Sequence, residues 1–235
     1  MPHNKGIVVN SKLSKQQFFW LPLVIFIVGG LVAFYSNKQQ LLENQQQIQS
    51  KLSARLEQIS VAVVESVTLY QYGLRGLRGA IVTTGIDKFN YTNMQAYSAS
   101  RDVDKEFPGA RGFGLIRRIS PVDVDSFVEY ARQDRPDKTF AIRQLSPHAD
   151  SLFIIQYIEP EHRNSEAVGL DIGSEAMRRH AALESAKFND VRLTGPITLV
   201  QANQQPRHGF LILIPIYNSM QPPKTAEERL ASIQG

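Results

Sequence analysis

The stretch that decides the fold is LFIIQYIEPEHRNSEAVGLDIGSEAMRRHAALESAKF, residues 152–188, in which a strand pattern is followed by a helix pattern. Residues 152–158 are rich in β-branched and aromatic side chains and end at Glu159-Pro160, so they predict a buried strand. Residues 174–188 contain good helix formers and no Gly or Pro, and they predict a helix with Ser174 as its N-cap.

Weaker patterns of the same two kinds lie on both sides of this stretch. They predict strands at residues 110–120, 139–143, 192–201 and 209–217, and helices at residues 87–107 and 122–132. The last two strands flank a polar turn and therefore predict an antiparallel hairpin. Short strands interspersed with helices indicate an α+β domain with an antiparallel sheet. We expect its buried side chains to include Leu152, Ile154, Tyr157, Leu199, Leu211 and Leu213.

The most apolar segment of the chain is FFWLPLVIFIVGGLVAFY, residues 18–35, and no charged residue lies between Lys15 and Lys38. As a helix it would be roughly 27 Å long, which is close to the thickness of the hydrocarbon core of a bilayer. A cleaved signal peptide has a shorter apolar core and a small-residue cleavage site, and a buried core helix of this length rarely lacks polar positions. The segment therefore predicts a transmembrane helix at residues 18–36.

Basic residues are concentrated beside this segment. The formal net charge is +4, and Lys5, Lys12 and Lys15 all precede the first acidic residue, Glu43. By the positive-inside rule, residues 1–17 are expected in the cytoplasm and the residues from 37 onward in the periplasm, with the helix in the cell inner membrane. Membrane topology accounts for the basic excess, so we expect no nucleic-acid partner.

Residues 37–72 contain no Gly or Pro and are rich in helix formers, and they predict a stalk helix at residues 37–74. Its apolar residues recur at steps of three and four, which is one face of a helix. They are Ile48, Leu52, Leu56, Ile59, Val63, Val67 and Tyr70. This face either packs on the chain's own domain or pairs with a second copy as a parallel dimer stalk. We favour domain packing for its second half and leave pairing of its first half open. The expected assembly is a homodimer through the stalk helix. Gly73, Gly76 and Gly79 are expected to break the helix.

Sequence signatures of catalysis are absent. The chain has no GxSxG, HExxH or P-loop motif, and its five His residues are scattered. It has no Cys, which excludes a disulfide scaffold and Cys-ligated metal. The nearest approach to a metal cluster, formed by Glu159, Glu161 and His162, is more typical of a solvated acidic turn. We therefore expect no enzyme activity in this chain, no cofactor and no metal site.

Two adjacent arginines, Arg178 and Arg179, follow the predicted start of the helix at residues 174–188. An Arg at a pocket edge can bind a carboxylate or phosphate through two parallel hydrogen bonds. An internal salt bridge with Asp171 is the alternative, and the residues alone favour it. Arg179 shares its face of the helix with Ala182, Leu183 and Ala186, which is the more apolar face, so we expect it rather than Arg178 to point inward.

Several segments in the same order resemble the CHASE domain. They are YIEP (157–160), GLDI (169–172), SEAMRRHAAL (174–183), RLTGPITLVQ (192–201), GFLILIPIY (209–217) and AEERL (226–230), with LRGA (77–80) and PGARGFGLIRRI (108–119) upstream. The resemblance implies a long N-terminal helix followed by two PAS-like units, and a sensory role outside the cytoplasm. It also implies output through a histidine kinase, a nucleotide cyclase, or a diguanylate cyclase or phosphodiesterase.

The resemblance implies a ligand site as well. In the plant cytokinin receptors of this family, an Asp near the start of the helix after the GLDI-like segment contacts the adenine of the ligand. This sequence has Arg178 and Arg179 there, Thr194 matches a family Thr, and Leu213 or Ile214 stands where the plant receptors have a ligand-lining Thr. Because the start of this helix is cationic, we expect an unknown small-molecule ligand that is anionic or carries a carboxylate, rather than a cytokinin. The expected ligand-binding residues are Tyr157, Asp171, Arg178, Arg179, Thr194 and Leu213.

The sequence as a whole predicts the extracytoplasmic small-molecule-sensing module of a membrane-bound signal-transduction receptor, of the histidine kinase or diguanylate cyclase type. The expected divisions are a cytoplasmic N-terminus (1–17), the transmembrane helix (18–36), the stalk helix (37–74) and a PAS-like CHASE domain (75–235). The resemblance further implies that this domain is incomplete at its C-terminus and that the output domain is missing. The alternative is a membrane-anchored periplasmic scaffold or protein-interaction module without a small-molecule ligand.

Overall fold

The computed structural model describes residues 15–199 and 207–235, with the side chains of residues 20–198 and 208–235. The helices are α1 (Lys15–Thr84), α2 (Tyr91–Ala99), α3 (Val103–Glu106), α4 (Val124–Asp134), α5 (Ala176–Phe188) and α6 (Ala226–Ser232). The strands are β1 (Phe113–Ile119), β2 (Arg143–Gln144), β3 (Leu152–Glu159), β4 (Leu170–Asp171), β5 (Arg192–Leu193), β6 (Ile197–Leu199), β7 (Arg207–Gly209) and β8 (Ile212–Leu213). The predicted α+β class is confirmed. The chain divides into two compact units, Met1–Ala62 and Val63–Gly235.

Helix α1 carries the apolar segment near the N-terminus. Within the described residues it is the one helix that is long and apolar enough to cross a membrane, with a mean hydropathy of 1.8 over its most apolar window. The large apolar side chains of that window are exposed, from Trp20 to Tyr35. Exposed apolar side chains over this length suit a helix surrounded by lipid.

The C-terminal end of α1 differs from the prediction. The helix continues through Gly73, Gly76 and Gly79 to Thr84, so the expected break at these glycines was wrong. A helical Gly costs about 1 kcal/mol relative to Ala. Leu77 and Ile81, in the same turns, are almost fully buried, and burying one such side chain stabilises by about 1.5–3 kcal/mol. Packing therefore outweighs the low helix propensity of the glycines.

The main sheet has four strands in the order β1-β3-β4-β2. β1 and β3 are antiparallel from Phe113↔Glu159 to Ile119↔Leu152, with a register shift between Leu115 and Ile116. β3 and β4 are also antiparallel, whereas the two-residue β2 and β4 are parallel. Gly114 allows the close approach of β1 to β3, because a Cβ there would collide with the carbonyl oxygen of Tyr157.

The predicted C-terminal hairpin is present in two short antiparallel pairs, β5 with β8 and β6 with β7. Its connecting residues, 200–206, lie outside the described residues. Other boundaries differ from the prediction. The helix expected at 87–107 is the two helices α2 and α3, and the strand expected at 139–143 is reduced to β2.

The start of α5 also differs from the prediction. Its N-cap is Glu175, whose carboxylate accepts hydrogen bonds from the backbone N–H groups of Met177 and Arg178. The side chain of Ser174 has other partners. Its hydroxyl donates to the carbonyl of Asp171 over 2.6 Å and accepts from the backbone N–H of Leu145 over 2.8 Å.

The core of the second unit lies on both faces of β3. One cluster joins the end of α1 to α2 and β1, and includes Leu77, Ile81, Phe89 and Tyr157. A second lies between β3 and α5, and a third between β3 and α4. Of the predicted core residues, Leu152, Ile154 and Tyr157 are buried, and Leu211 and Leu213 are half-buried. The side chain of Leu199 lies outside the described residues.

Candidate functional site

A cavity of about 710 Å³ lies within the second unit, between the last turns of α1, strands β1 and β3, and residues 208–216. Its walls are mainly apolar, and they include Leu77, Ile81, Leu115, Ile155, Leu213 and Ile216. This volume falls within the roughly 300–1,000 Å³ that small-molecule sites occupy. The cavity is therefore large enough for a ligand with several rings or a medium-length chain.

Arg78 of α1 is the cation on the wall of this cavity that has no hydrogen-bond or ion-pair partner among the described residues. Its side chain is half-buried. Burial lowers the pKa of its guanidinium, and the neighbouring charge of Arg75 lowers it further. Arg163, which also lines the cavity, is instead paired with Asp104 over 2.8 Å. Arg78 is thus a partly desolvated positive charge beside an apolar space.

The backbone at the C-terminal end of the chain forms one rim of the cavity. Gln234 accepts a hydrogen bond from the backbone N–H of Arg118 and donates to the carbonyl of Ile216, over 2.9 and 2.8 Å. Gly235 accepts from the N–H of Ile216 over 2.6 Å. Ile233 and Tyr217 form an antiparallel bridge. These residues lie between β1 and the segment that follows β8.

The predicted ligand-binding residues do not converge on this cavity, and among them Leu213 lines it. Tyr157 is buried, donates from its hydroxyl to Asp134 over 2.5 Å and accepts from Gln156 over 2.7 Å. Burial, followed by the contact with Asp134, raises the pKa of Tyr157 far above its ordinary value. The hydroxyl of Thr194 accepts from the backbone N–H of Leu211 over 2.9 Å.

Arg178, not Arg179, is the buried member of the arginine pair, so the expected orientation of the two was wrong. The side chain of Arg178 is 5% exposed and that of Arg179 is 21% exposed. Arg178 shares its face with small residues that let α5 pack closely. They are Ala181, Ala182 and Ser185, and all are buried. Close packing on that face covers Arg178 despite its charge.

Neither arginine forms the predicted salt bridge with Asp171 among the described residues. Arg178 donates to the carbonyl of Thr198 over 2.8 Å, and its Nε lies 3.7 Å from the carboxylate of Glu175. Arg179 pairs with Asp150 over 3.1 Å. Asp171 is instead contacted by His148 over 2.6 Å. The loop that precedes β3 therefore supplies the partners of both Asp171 and Arg179.

Sequence reasoning missed Arg78 as a site residue. The signal was present, because Tyr70, Leu74, Leu77 and Ile81 continue the steps of three and four of the stalk helix. Treating the glycines as breaks hid this continuation. Arg78 follows Leu77 on the same helix, at the edge of the face that packs on the domain.

The order of these elements can be compared with known families. The profile of the CHASE domain matches residues 87–235, which is more than half of the chain. This chain belongs to the CHASE domain family. CHASE domains are non-catalytic sensory modules that lie outside the cytoplasm in membrane receptors, and an apolar helix precedes the matched residues here. No curated protein sequence matches the chain.

Proposed function

We propose that this CHASE domain senses a small amphipathic anion, which binds in the cavity between α1, β1 and residues 208–216. The observation that carries the proposal is Arg78, a half-buried guanidinium without a described partner on the wall of an apolar cavity of about 710 Å³. A desolvated cation gains most from a carboxylate or phosphate, which it can bind through two parallel hydrogen bonds. The apolar walls favour a ligand whose remaining atoms are aromatic or aliphatic.

The proposal assigns different roles to the residues predicted from the sequence. Leu213 contacts the ligand directly, because it lines the cavity. Arg178 and Thr194 have their hydrogen-bond partners within the fold, Arg178 in the carbonyl of Thr198 in β6 and the backbone N–H of Thr194 in the carbonyl of Leu211. Asp171, Arg179 and Tyr157 fix the elements around β3. Ligand binding would then shift α1 relative to the sheet, since Arg78 belongs to α1.

The receptor assignment extends this proposal to the whole protein. We propose a signal-transduction receptor of the histidine kinase or diguanylate cyclase type in the bacterial inner membrane, with residues 1–17 in the cytoplasm and residues 37–235 in the periplasm. The three lysines before the apolar segment support this orientation. A reporter that is active only in the cytoplasm, fused after Gly235, should be inactive. Full activity of that fusion would contradict the orientation.

Matched pairs of ligands test the anion site. Phenylacetate and indole-3-acetate should raise the melting temperature of the detergent-solubilised chain, and phenethylamine and tryptamine should not. A carboxylate at about 100 times its dissociation constant stabilises the folded state by about 2.7 kcal/mol. Arg78→Gln should abolish the effect. Arg75→Gln, an exposed Arg in the preceding turn, is the control and should retain it.

A specific observation favours a second occupant of the cavity, a polypeptide strand. The backbone of Gln234 and Gly235, beside the cavity, already bonds to Arg118 of β1 and to Ile216, in the pattern of an antiparallel strand between them. With a strand in place, carboxylates would give no stabilisation, and the Arg78→Gln and Arg75→Gln variants would behave alike. That result would contradict the anion site and favour the scaffold or protein-interaction alternative.

A further inference from the structure

The cavity of the candidate site follows the last turns of α1 lengthwise. The side chains that α1 contributes to its wall are Tyr70, Leu74, Leu77, Arg78 and Ile81. They lie along one face of the helix, and the rise of an α-helix places the first and the last roughly 16 Å apart. The cavity is therefore elongated in the direction of the helix axis.

Beside the cavity, the space between β1 and Ile216 holds a single extended chain. The backbone of Gln234 lies there, because it accepts a hydrogen bond from Arg118 of β1 and donates one to Ile216. Neighbouring strands are about 4.8 Å apart, so β1 and Ile216 are separated by about 10 Å at this point. Ile116, Ile216 and Gly235 also line the cavity, which therefore begins next to a gap that is one chain wide. An elongated space beside such a gap suits a linear ligand better than one with fused rings.

Tyr70 closes the cavity at its other end. Among the described residues of α1, it is the most N-terminal one that lines the cavity. Its hydroxyl donates a hydrogen bond to the carbonyl of Pro108 over 2.5 Å. Gly109, which lines the cavity too, lies so close that a Cβ there would be 3.2 Å from the same hydroxyl. The side chain of Tyr70 thus reaches from α1 to the turn that precedes β1.

The distance between Tyr70 and Arg78 defines a length for the ligand. The two residues are separated by a rise of about 12 Å along α1, and both side chains lean toward the N-terminus of the helix, which preserves this separation. An extended chain advances about 3.3–3.6 Å over three bonds. We propose that the ligand is a linear aliphatic carboxylate of about ten carbons, which binds Arg78 with its carboxylate and meets Tyr70 with its far end, so that Tyr70 sets the chain length. This inference rests on the proposed anion site.

Titration calorimetry of the detergent-solubilised chain with octanoate, decanoate, dodecanoate and tetradecanoate tests the length limit. The Arg78→Gln variant measures partition of each carboxylate into the detergent. Tyr70→Ala should bind dodecanoate and tetradecanoate several-fold more tightly than the unaltered chain does, because burial of one more CH₂ raises affinity about fourfold. Each ratio compares one carboxylate in two proteins, so partition into detergent cancels. Tyr72→Ala is the matched control, since Tyr72 is 68% exposed and does not line the cavity, and it should keep the preference for decanoate.

A second variant shortens the cavity and keeps the test decisive if Tyr70→Ala does not fold. Leu74 lines the cavity halfway between Tyr70 and Arg78, so Leu74→Trp should weaken decanoate binding at least several-fold and leave hexanoate binding unchanged. The same dependence on chain length in the unaltered chain and in both cavity variants would overturn the role of Tyr70 and leave the anion site standing. If no carboxylate binds the unaltered chain more tightly than Arg78→Gln, the anion site itself is wrong, and this inference falls with it.

Discussion

His148 donates a hydrogen bond from Nε2 to Oδ2 of Asp171 over 2.6 Å, and the carboxylate that accepts it is fully buried. The same carboxylate accepts from the backbone N–H groups of Phe153 and Gly173, each over 2.9 Å, and from the amide of Gln144 over 3.1 Å. Four donors thus compensate one buried negative charge. They come from β2, the following loop, β3 and the turn before α5, so Asp171 joins four parts of the domain.

Asp171→Asn should destabilise the domain strongly. The amide replaces one acceptor oxygen with a donor that faces other donors, and the loss of a partner from a buried charge network costs about 3–5 kcal/mol. We expect a loss of this order in the free energy of unfolding, measured by chemical denaturation. Asp150→Asn is the control, because its side chain is 70% exposed in the ion pair with Arg179 and should change stability by less than about 1 kcal/mol. Equal effects of the two variants would contradict the prediction.

Two glycines should respond to Ala in opposite directions. A Cβ at Gly114 collides with the carbonyl oxygen of Tyr157, so Gly114→Ala must separate β1 from β3 and should lower the melting temperature markedly. Gly79 lies inside α1, where a Cβ would meet no atom within 4 Å outside the local helix backbone, and Gly79→Ala should stabilise by about 0.5–1 kcal/mol. Thermal unfolding of both variants checks this. A neutral Gly114→Ala would mean that the strands can move apart at little cost.

The strands that carry the sheet could be predicted from the sequence, and the ends of the helices could not. β1 and β3 are apolar runs bounded by turn residues, so local composition suffices to find them. The end of α1 depends on Leu77 and Ile81 meeting partners far along the chain, which local propensity does not contain. Family resemblance, rather than composition, supplied the sensory role that the match at residues 87–235 supports.

The candidate site was harder to predict, because it depends on which charges find partners. The sequence places Arg78, Arg178 and Arg179 equally near apolar residues. Only the tertiary contacts pair Arg179 with Asp150, hold Arg178 against the carbonyl of Thr198 and leave Arg78 without a described partner. The small residues on one face of α5 were a usable signal for the burial of Arg178, and a ranking by hydrophobicity alone missed it.

Acid should weaken the turn after α4 through Asp137. Hydrogen bonds from the guanidinium of Arg135, and then from the backbone of Thr139, hold the pKa of Asp137 well below its ordinary value. A carboxylate with a lowered folded-state pKa stabilises the fold above its unfolded value of about 3.9, and this contribution is lost as the pH falls further. Asp137→Asn should therefore lower the melting temperature at pH 7 but have a vanishing effect well below about pH 3.9. A pH-independent difference between the two proteins would contradict this assignment.

Arg178→Met should lower the free energy of unfolding less than Arg179→Met does. An inward-facing Arg179 would give the reverse order. Arg178 is a buried cation whose Nε has no hydrogen bond, and burial lowers its pKa, so its charge is poorly compensated. Met fills a similar volume without that charge, so the cost of burying a poorly compensated cation is removed, and this gain offsets the hydrogen bond that the carbonyl of Thr198 loses. We expect Arg178→Met to change the free energy of unfolding by less than about 1.5 kcal/mol.

Arg179→Met should cost more. It removes the ion pair with Asp150 and leaves the carbonyls of Ser151 and Gly173 without the guanidinium that contacts them over 3.1 and 3.3 Å. The exposed ion pair contributes little, but an orphaned buried acceptor costs about 1–3 kcal/mol. Chemical denaturation of the two variants, with Arg179→Lys as a control that keeps the charge, measures the order. A larger loss of unfolding free energy in Arg178→Met than in Arg179→Met would contradict this order. It would show that the charge of the buried guanidinium is well compensated, because its hydrogen bond to Thr198 would then stabilise the packing of α5 by more than burial of the charge costs.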